Sequence, residues 1–263
     1  MTRKSFTDLS SQERSALGSA FNELWNSGMI ASNADLHDNN FYNGIHWGPA
    51  FLPWHRDFLR KLELALQSFE PLVSLPYWDW ADSESRNLDI EPWLSFFGGR
   101  PNSGGLFDHW TYVRNSSGGD WNLPNYDEIV TELEAPSFLQ FRSLETGSHV
   151  PGHTWTGGTM ATGHSPLDPL FYLHHCNLDR LWAIWQLNNP TEVQYEHTGQ
   201  LSSDSVPQAR VPIDSPMING ATPSSVLDHV ALDYVYAQDP DLESKWFAKH
   251  GTPLVTRATL PIT

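Results

Sequence analysis

Two groups of histidine residues constrain this chain more than any other feature of its sequence. Their members are His37, His46 and His55 in the first group and His149, His153, His174 and His175 in the second. A single buried histidine is usually a hydrogen-bonded core residue, but groups of three with several members on inward faces are hard to explain in that way. The chain is therefore expected to fold so that imidazoles converge, which is the arrangement of a metal site.

The first group is predicted to converge from one helix and the chain that precedes it. His55 lies at the start of a helix predicted over residues 53–69, on the same face as Leu59, and an inward imidazole among leucines needs a partner. A Gly-Pro pair separates His46 from that helix, so His46 can approach from the preceding loop. His37 is the only other histidine upstream and is the only candidate for a third donor.

The second group is predicted to converge from two helical segments. His149 and His153 are four residues apart, so on a helical turn they share one face. His175 lies on the inward face of a helix that begins at Asp168, a good N-cap. His174 lies about 100° further round that helix and is expected to face elsewhere. The other histidines are expected to be loop or surface residues: His109, His164, His197, His229 and His250.

The donor set restricts the metal. Neutral imidazoles without thiolates suit copper, zinc, nickel or iron, and the single cysteine, Cys176, excludes a site built on several cysteines. A di-iron bundle site would need Glu-x-x-His pairs, which the sequence lacks. One zinc ion held by three histidines would leave the other group unexplained. Two all-imidazole metal ions that face each other fit the pattern best.

Helical periodicity predicts a mainly α fold with long loops and little β structure. The four main helices are predicted at residues 10–28, 53–69, 137–145 and 168–187, and they suggest a four-helix bundle. The first begins with a capping box of Ser10 and Glu13. Residues 31–49 are predicted to be irregular and residues 72–134 mostly loop. The tail, residues 191–263, lacks a strong core signal, so residues 1–263 are predicted to form a single domain that the tail wraps.

Charge and hydropathy argue against two classes of partner. The formal net charge of -16 repels phosphate backbones, so no nucleic-acid partner is expected. No apolar tract is long enough to span a membrane, so no membrane partner is expected either. The first residues lack the apolar segment of a classical signal peptide. Cytoplasmic residence is the default expectation, with export alongside a partner as the alternative.

Three motifs of the chain resemble those of one protein family. HWGPAFLPWHRDFLRKLE (residues 46–63) is similar to the family's first copper-binding motif, DPLFYLHHCNLDRLW (residues 168–182) to its second, and HVPGHTWTGGTM (residues 149–160) to its H-x3-H segment. The family is that of the type-3 copper proteins, which includes tyrosinases, catechol oxidases and molluscan-type hemocyanins. The resemblance implies that the helical bundle holds a dinuclear copper site.

The resemblance also implies which histidines bind the two copper ions. They are His37, His46 and His55 on the first ion and His149, His153 and His175 on the second. Arg56 and Asp179 occupy motif positions at which they either orient imidazoles or form a buried structural ion pair. Some relatives cross-link a cysteine to the second ligand of the first site, but the cysteine here, Cys176, follows His175 directly. That cross-link is therefore expected to be absent.

The activity that the resemblance implies is oxidation of small phenols by O2. It predicts an enzyme of the tyrosinase or catechol oxidase type that converts o-diphenols or o-aminophenols to o-quinones or o-quinone imines. Glu145 is the predicted catalytic residue, because relatives tie monophenol hydroxylation to a glutamate that holds a water molecule. Relatives also tie it to an Asn or Asp directly after the first ligand of the second site, where this chain has Val150. Because valine cannot hydrogen-bond through its side chain, monophenol hydroxylation is expected to be weak.

The alternative function is that of a hemocyanin-like carrier, which binds O2 reversibly. Those proteins have an added β-rich domain that covers the site, and the tail here is expected to be too short to form one. An open site favours an enzyme. The sequence leaves undetermined which phenol is the substrate, what the oligomeric state is, and whether a copper-delivery partner is required.

Overall fold

Helices supply most of the regular structure in the computed structural model, which describes residues 1–100, 103–115, 122–218 and 220–256. The described helices of four or more residues, 3-10 and π turns apart, are α1 Ser11–Asn26, α2 Met29–Asn40, α3 Phe51–Phe69, α4 Trp93–Phe97, α5 Tyr126–Leu133, α6 Phe138–Phe141, α7 Val150–Thr156, α8 Leu170–Asn188 and α9 Pro240–His250. The described strands are β1 Thr2–Arg3 and β2 Val235–Tyr236, which pair in parallel. The predicted mainly α fold with little β structure is confirmed.

Helix α1 begins as the sequence predicts. The Ser10 side chain accepts the backbone N–H of Glu13, and the Glu13 carboxylate accepts the backbone N–H of Ser10. This reciprocal capping satisfies two donors that the start of a helix would otherwise leave without partners. The buried face of α1, which includes Leu17 and Phe21, packs against α3.

The irregular segment predicted over residues 31–49 is wrong for residues 31–40, which belong to α2, and right for residues 41–49, which are turns and bends. The helix begins after Gly28, whose φ of 79° lies in the left-handed region that favours glycine. Ile30, Ala34 and His37 recur at helical intervals and bury one side of α2. Its Asn and Asp residues favour turns in an isolated chain, and here they lie mostly on the exposed side. Packing of the buried side has overridden that local preference.

Helices α3 and α8 pack against each other at the centre of the molecule. Helix α3 begins at Phe51, slightly before the predicted start at Pro53. Helix α8 is buried all round over residues 170–185, so it has no solvent-exposed face there, and its polar side chains lie inside the molecule. Asp168 caps α8, as predicted, because its carboxylate accepts the backbone N–H of Leu170 at 2.9 Å.

The continuous helix predicted over residues 137–145 is wrong. Helix α6 ends at Phe141, and a π turn over Glu145–His149 leads directly into α7. Pro151 is tolerated because it lies in the first turn of α7, where a backbone N–H is not needed for the helix. Helices α6 and α7 are therefore separate segments.

The tail lies against the helices. Tyr234 and Tyr236 both donate hydrogen bonds to Asp179 on α8, and β2 pairs with β1. Helix α9, which the sequence did not predict, packs on α5, and Lys249 on α9 donates a hydrogen bond to Glu134. These contacts join parts of the tail to β1, α5 and α8.

Aromatic side chains fill much of the core, as their number in the sequence suggests. The fully buried tryptophans are Trp54, Trp78, Trp80, Trp93, Trp182 and Trp185. Each ring buries a large apolar area, so these side chains contribute strongly to the stability of the fold. None of the helices in the described part of the chain has the length and apolar character needed to cross a membrane.

Candidate metal centre

The first histidine group lies where α2 and the loop after it meet the start of α3. His37 is on α2, His46 is on the loop and His55 is on α3, and all three are buried. One ring nitrogen of each lies within 4.8 Å of the others. The ring centroid of His46 is 4.9 Å from that of His37 and 4.9 Å from that of His55. The fold thus brings together the three histidines predicted from the sequence.

The second histidine group contains four residues in the structure. His149 ends the π turn, His153 is on α7, and His174 and His175 are on α8. One ring nitrogen of each lies within 4.8 Å of the others. His174 was expected to face elsewhere, and that prediction is wrong, because His174 is fully buried beside the other three.

His174 and His175 make different contacts within the second group. The His175 Nε2 atom is 3.1 Å from the His153 Nε2 atom, and the His175 ring stacks on His55 of the first group with centroids 4.3 Å apart. The His174 Nε2 atom instead lies 3.1 Å from the backbone carbonyl oxygen of His149. His175 faces the first group, and His174 is bound to the backbone that supports the second. This difference supports the prediction that His175 is the ligand.

Backbone carbonyl groups orient four of the imidazoles. The Nδ1 atoms of His37, His55, His149 and His153 lie 2.6–3.2 Å from the carbonyl oxygens of Gly163, Phe51, Glu145 and Met160, respectively. A carbonyl oxygen only accepts, so Nδ1 carries the proton and the lone pair is on Nε2. The Nε2 atoms of His37, His55 and His149 are buried without a hydrogen-bond partner in the described structure. Unpaired buried acceptors are costly, and a metal ion would satisfy them.

Burial keeps these imidazoles neutral. It lowers the pKa of His37 to about 3 and that of His153 to about 4. It also lowers the pKa values of His46, His55, His149 and His175 well below the ordinary range, and the neighbouring imidazoles lower them further. A neutral imidazole binds a metal without first losing a proton. Two groups of neutral nitrogen donors with free Nε2 lone pairs fit copper ions.

Glu145, the predicted catalytic residue, is buried and contacts the loop that follows His46. Its Oε1 atom accepts the backbone N–H of Trp47 at 2.6 Å, and its own carbonyl oxygen accepts from Nδ1 of His149. Burial raises the pKa of Glu145 to about 8. Glu145 is therefore not an ordinary solvated carboxylate at a helix end. It joins the loop that follows His46 to the turn that carries His149.

Glu132 supports the same turn, a role that no sequence pattern indicates. Its Oε2 atom accepts a hydrogen bond from the Ser148 hydroxyl at 2.7 Å. A Cβ atom at Gly147 would lie only 2.4 Å from the other carboxylate oxygen, so the carboxylate fills the space beside that glycine. Burial raises the pKa of Glu132 to about 8. Nothing in the chain links position 132 to position 148 until the fold is known.

Arg56 and Asp179 form a buried ion pair with each other. Asp179 also accepts from Arg3, whose guanidinium makes two hydrogen bonds to Glu63 on α3. In the described part of the chain, Asp179 accepts hydrogen bonds from Arg3, Arg56 and two tyrosines and makes none with a histidine. This network ties β1, α3 and α8 together. It favours the structural interpretation of the pair over the orientation of imidazoles.

Cys176 packs in the core and does not approach His46. Its Sγ atom lies 3.6 Å from the Leu75 carbonyl oxygen and 3.8 Å from the Tyr236 hydroxyl. Burial raises the pKa of the thiol to about 12. Cys176 is therefore a buried residue that packs between α8 and the tail.

His229 departs from the expectation for histidines outside the two groups. It is buried against the rings of Tyr234 and Tyr236, and burial lowers its pKa to about 4. The four others, at positions 109, 164, 197 and 250, are at least partly exposed, as predicted. His229 is a core residue of the tail and lies outside both histidine groups.

A cavity of about 510 Å³ opens beside the second group. His149 and His153 form part of its wall, and Val150 and Thr154 lie next to them. The opposite wall comes from the end of α2, from Trp47 and from residues 160–163 and 165. A flat aromatic ring has room to enter and approach the imidazoles. Thr154 and residues 160–162 form part of the wall, so the segment that follows His153 helps to line the cavity.

Comparison with protein families gives a match over the region that contains both histidine groups. The family model described as the common central domain of tyrosinase matches residues 28–137 and 111–188. Among curated proteins, the chain is 33% identical to a tyrosinase of Streptomyces antibioticus over 270 residues, which covers 86% of this chain and 96% of that protein. It is 30% identical to grixazone synthase of Streptomyces griseus subsp. griseus, with 73% of this chain and 81% of that protein covered.

Solved structures of low sequence identity share the fold. A polyphenol oxidase from Thermothelomyces thermophila superposes with a TM-score of 0.69 at 20% identity, covering 90% of this chain and 89% of that one. A functional unit of octopus hemocyanin gives a TM-score of 0.63 at 21% identity, covering 95% of this chain and 73% of that one. At these identities the likeness concerns the helical scaffold alone.

Proposed function

The chain belongs to the tyrosinase family of type-3 copper proteins, and from that premise we propose that it oxidises o-diphenols, and o-aminophenols in the same manner, with O2 as the oxidant. As a family member it is a copper-dependent oxidoreductase of the tyrosinase type. Membership of the family does not decide between o-diphenols and monophenols. The proposed preference for o-diphenols is therefore based on residues of this chain.

One observation carries the proposal: two groups of buried, neutral imidazoles face each other beside a cavity large enough for an aromatic ring. Copper ions held there supply redox chemistry, because a pair of ions cycling between Cu(I) and Cu(II) exchanges two electrons. The overall reaction converts two o-diphenols and one O2 to two o-quinones and two water molecules. The ligands predicted for the two ions are the six histidines named above, with His174 outside the set.

The chain's own contribution is to position the donors and the substrate. The carbonyl groups that hold Nδ1 of His55 and His149 fix both rings before substrate arrives, so little reorganisation is needed. The buried position of both groups keeps competing solvent away from the metal side of the cavity. Trp47 and Phe41 line the cavity and offer apolar surface to a phenol ring.

Val150 is the residue that favours diphenols in this proposal. It follows His149 directly and lines the cavity, where its side chain has no atom that accepts a proton or holds a water molecule. A diphenol is more acidic than a monophenol and needs less help to ionise. Monophenol hydroxylation is therefore expected to be slow, with Glu145 as the carboxylate that would hold a water for it.

The test compares p-cresol with 4-methylcatechol on copper-loaded protein, with O2 consumption as the measurement. We expect fast oxidation of the catechol and slow oxidation of the cresol with a lag. Val150→Asn should raise the cresol rate more than the catechol rate, and Glu145→Gln should lower the cresol rate selectively. Comparable rates on both substrates without a lag would overturn the preference for diphenols.

A reversible O2 carrier is the second candidate, because 54% of the chain aligns with a hemocyanin of Megathura crenulata at 34% identity. A carrier would bind O2 and release it on removal of the gas, without consuming 4-methylcatechol. The cavity beside His149 and His153 favours an enzyme, since it leaves space for a substrate at the site. The absence of catechol turnover by fully copper-loaded protein would favour the carrier.

A further inference from the structure

The cavity beside the second histidine group has an unbalanced charge at its rim. Apart from the histidines, Asp38 is the one acidic or basic residue among the described residues that line the cavity, and those residues include no Lys or Arg. The formal net charge of the whole chain, -16, has the same sign. A ligand in the cavity therefore meets one nearby carboxylate and no nearby ammonium or guanidinium group.

Asp38 holds its carboxylate at the open end of the cavity. It follows His37 on α2, and its side chain is 41% exposed, whereas His149 is 3% exposed. A Cβ atom at Gly163 would lie 2.0 Å from an oxygen of Asp38, so the carboxylate lies directly over that glycine of the cavity wall. Helix α2 and the loop that contains Gly163 hold the Asp38 carboxylate between them.

One side chain of opposite potential charge faces Asp38. The His164 Nδ1 atom is 3.4 Å from the Asp38 carboxylate, and its Nε2 atom is 3.6 Å from Asp35 one turn earlier on α2. His164 is itself 45% exposed and is shared between two carboxylates. Because His164 contacts both carboxylates, its single potential positive charge cannot neutralise Asp35 and Asp38 together.

His149 and His153 lie deep in the cavity, and their position determines how a phenol is oriented when it enters. The ring oxygens must point toward His149 and His153 at the buried end, so a substituent on the opposite side of the ring points toward the open end. Phe41, Tyr42 and Trp47 flank this path with aromatic surface. A charged group at the end of a short substituent would then come close to Asp38.

We propose that Asp38 makes the site select o-diphenols whose side chain carries an amine over those whose side chain carries a carboxylate. This inference rests on the proposed function and specifies its substrate class. An ammonium group near a partly exposed carboxylate is stabilised by a direct, salt-sensitive attraction, and a carboxylate in the same place is repelled. Aromatic surface beside the rim adds to the binding of a cation.

The experiment measures KM and kcat of copper-loaded protein for three catechols that differ in charge: dopamine, 4-methylcatechol and dihydrocaffeate. At a low ionic strength of about 20 mM, we expect the KM of dopamine to be at least about fivefold below that of dihydrocaffeate, with similar kcat values. Added salt should reduce the ratio. Equal KM values for the cation and the anion, or a lower KM for the anion, would overturn the proposal.

Two matched variants separate the rim charge from the general negative charge of the protein. Asp38→Asn should reduce the KM ratio by about threefold or more. Asp35→Asn removes the same charge one helical turn away, outside the cavity wall, and should change the ratio by less than about twofold. Equal effects of the two variants would contradict a specific role for Asp38.

The outcome for 4-methylcatechol distinguishes this proposal from the proposed function. If 4-methylcatechol is oxidised but dopamine and dihydrocaffeate have equal KM values, the proposal for Asp38 is wrong and the proposed function stands. If no catechol is oxidised, the proposed function fails, and saturation-transfer NMR of dopamine and dihydrocaffeate on the same protein still decides the charge preference. Stronger saturation of dopamine that Asp38→Asn abolishes would support it, and equal saturation would reject it.

Discussion

His55 and His175 stack against each other with ring centroids 4.3 Å apart and ring planes 10° apart, although they belong to different histidine groups. His55 is on α3 and His175 is on α8, the two helices that pack at the centre of the molecule. The relative position of the two groups is therefore set by the packing of one helix pair. Movement of either helix would change both groups at once.

Replacement of His55 by alanine tests whether the two groups hold separate ions. We expect the wild-type protein to retain two copper ions per chain and His55→Ala to retain close to one, because the second group keeps its donors. Metal analysis after copper loading and desalting measures this. His250→Ala, at an exposed histidine, is the control and should retain two ions. Loss of all copper in His55→Ala would show that the groups do not bind independently.

Replacement of Asp179 by asparagine tests the buried ionic network. The change leaves the guanidinium groups of Arg3 and Arg56 in the core without their shared carboxylate. We expect the free energy of unfolding to fall by about 3–5 kcal/mol, measured by urea denaturation. Asp233→Asn is the matched control, because Asp233 is highly exposed and lies 4.0 Å from Arg60. The control should cost less than about 1 kcal/mol, and similar losses in both variants would contradict the argument.

The raised pKa of Glu132 makes its contribution to the free energy of unfolding depend on pH. Its pKa is raised to about 8 from an ordinary value of 4.5, so between these pH values the folded chain holds a proton that the unfolded chain has released. The contribution of Glu132 to the free energy of unfolding should therefore decline as the pH rises through this window, whereas the buried histidines, whose pKa values are lowered, contribute in the opposite direction below about pH 6.5. Wild type should therefore lose stability relative to Glu132→Gln across the window, by an amount on the order of a few kcal/mol.

Urea denaturation of copper-free protein at pH 5, about 6.5 and 8 measures the effect of Glu132. Gln keeps an oxygen that can accept the Ser148 hydroxyl, so the hydrogen bond need not be lost. Wild type should show no such relative decline against Glu192→Gln, a variant at an exposed position. The absence of a relative decline against Glu132→Gln would show that the Glu132 carboxyl group does not bind a proton preferentially in the folded state.

Gly152 lies at a close contact between α7 and α8, where an added methyl group is expected to disturb copper binding. A Cβ atom there would lie 2.1 Å from Cε1 of His174, and the ring cannot move far because its Nε2 is bound to the His149 carbonyl. Gly152→Ala should weaken copper binding at the second group by about tenfold or more while the first group retains its ion. Copper titration of the variant measures this. The double variant Gly152→Ala with His174→Ala removes the clash and should bind copper more tightly than Gly152→Ala alone.

Much of the candidate site could be predicted from the sequence. Histidines at helical spacing with leucine identified inward faces at His55 and His175, and a Gly-Pro pair showed that His46 belongs to a loop. These inferences needed only helical geometry and the chemistry of imidazole. The predicted helical fold followed from the same periodicity.

The parts that could not be predicted depend on packing between distant segments. Helix α2 has a weak pattern because Asn and Asp cover its exposed side, and His174 is turned inward by neighbours that only the fold supplies. Glu132 and Arg3 act on residues far away in the chain. No local spacing indicates such contacts.

The π turn over Glu145–His149 shifts the rotational phase of the chain between α6 and α7. Such a turn holds one residue more than an α-helical turn, and each residue of a helix rotates the chain by about 100°. Deleting a single residue there would allow one continuous helix but would swing His153 about a quarter of a turn away from His175. The second histidine group can thus be dismantled by a change in segment length that leaves every one of its histidines in place.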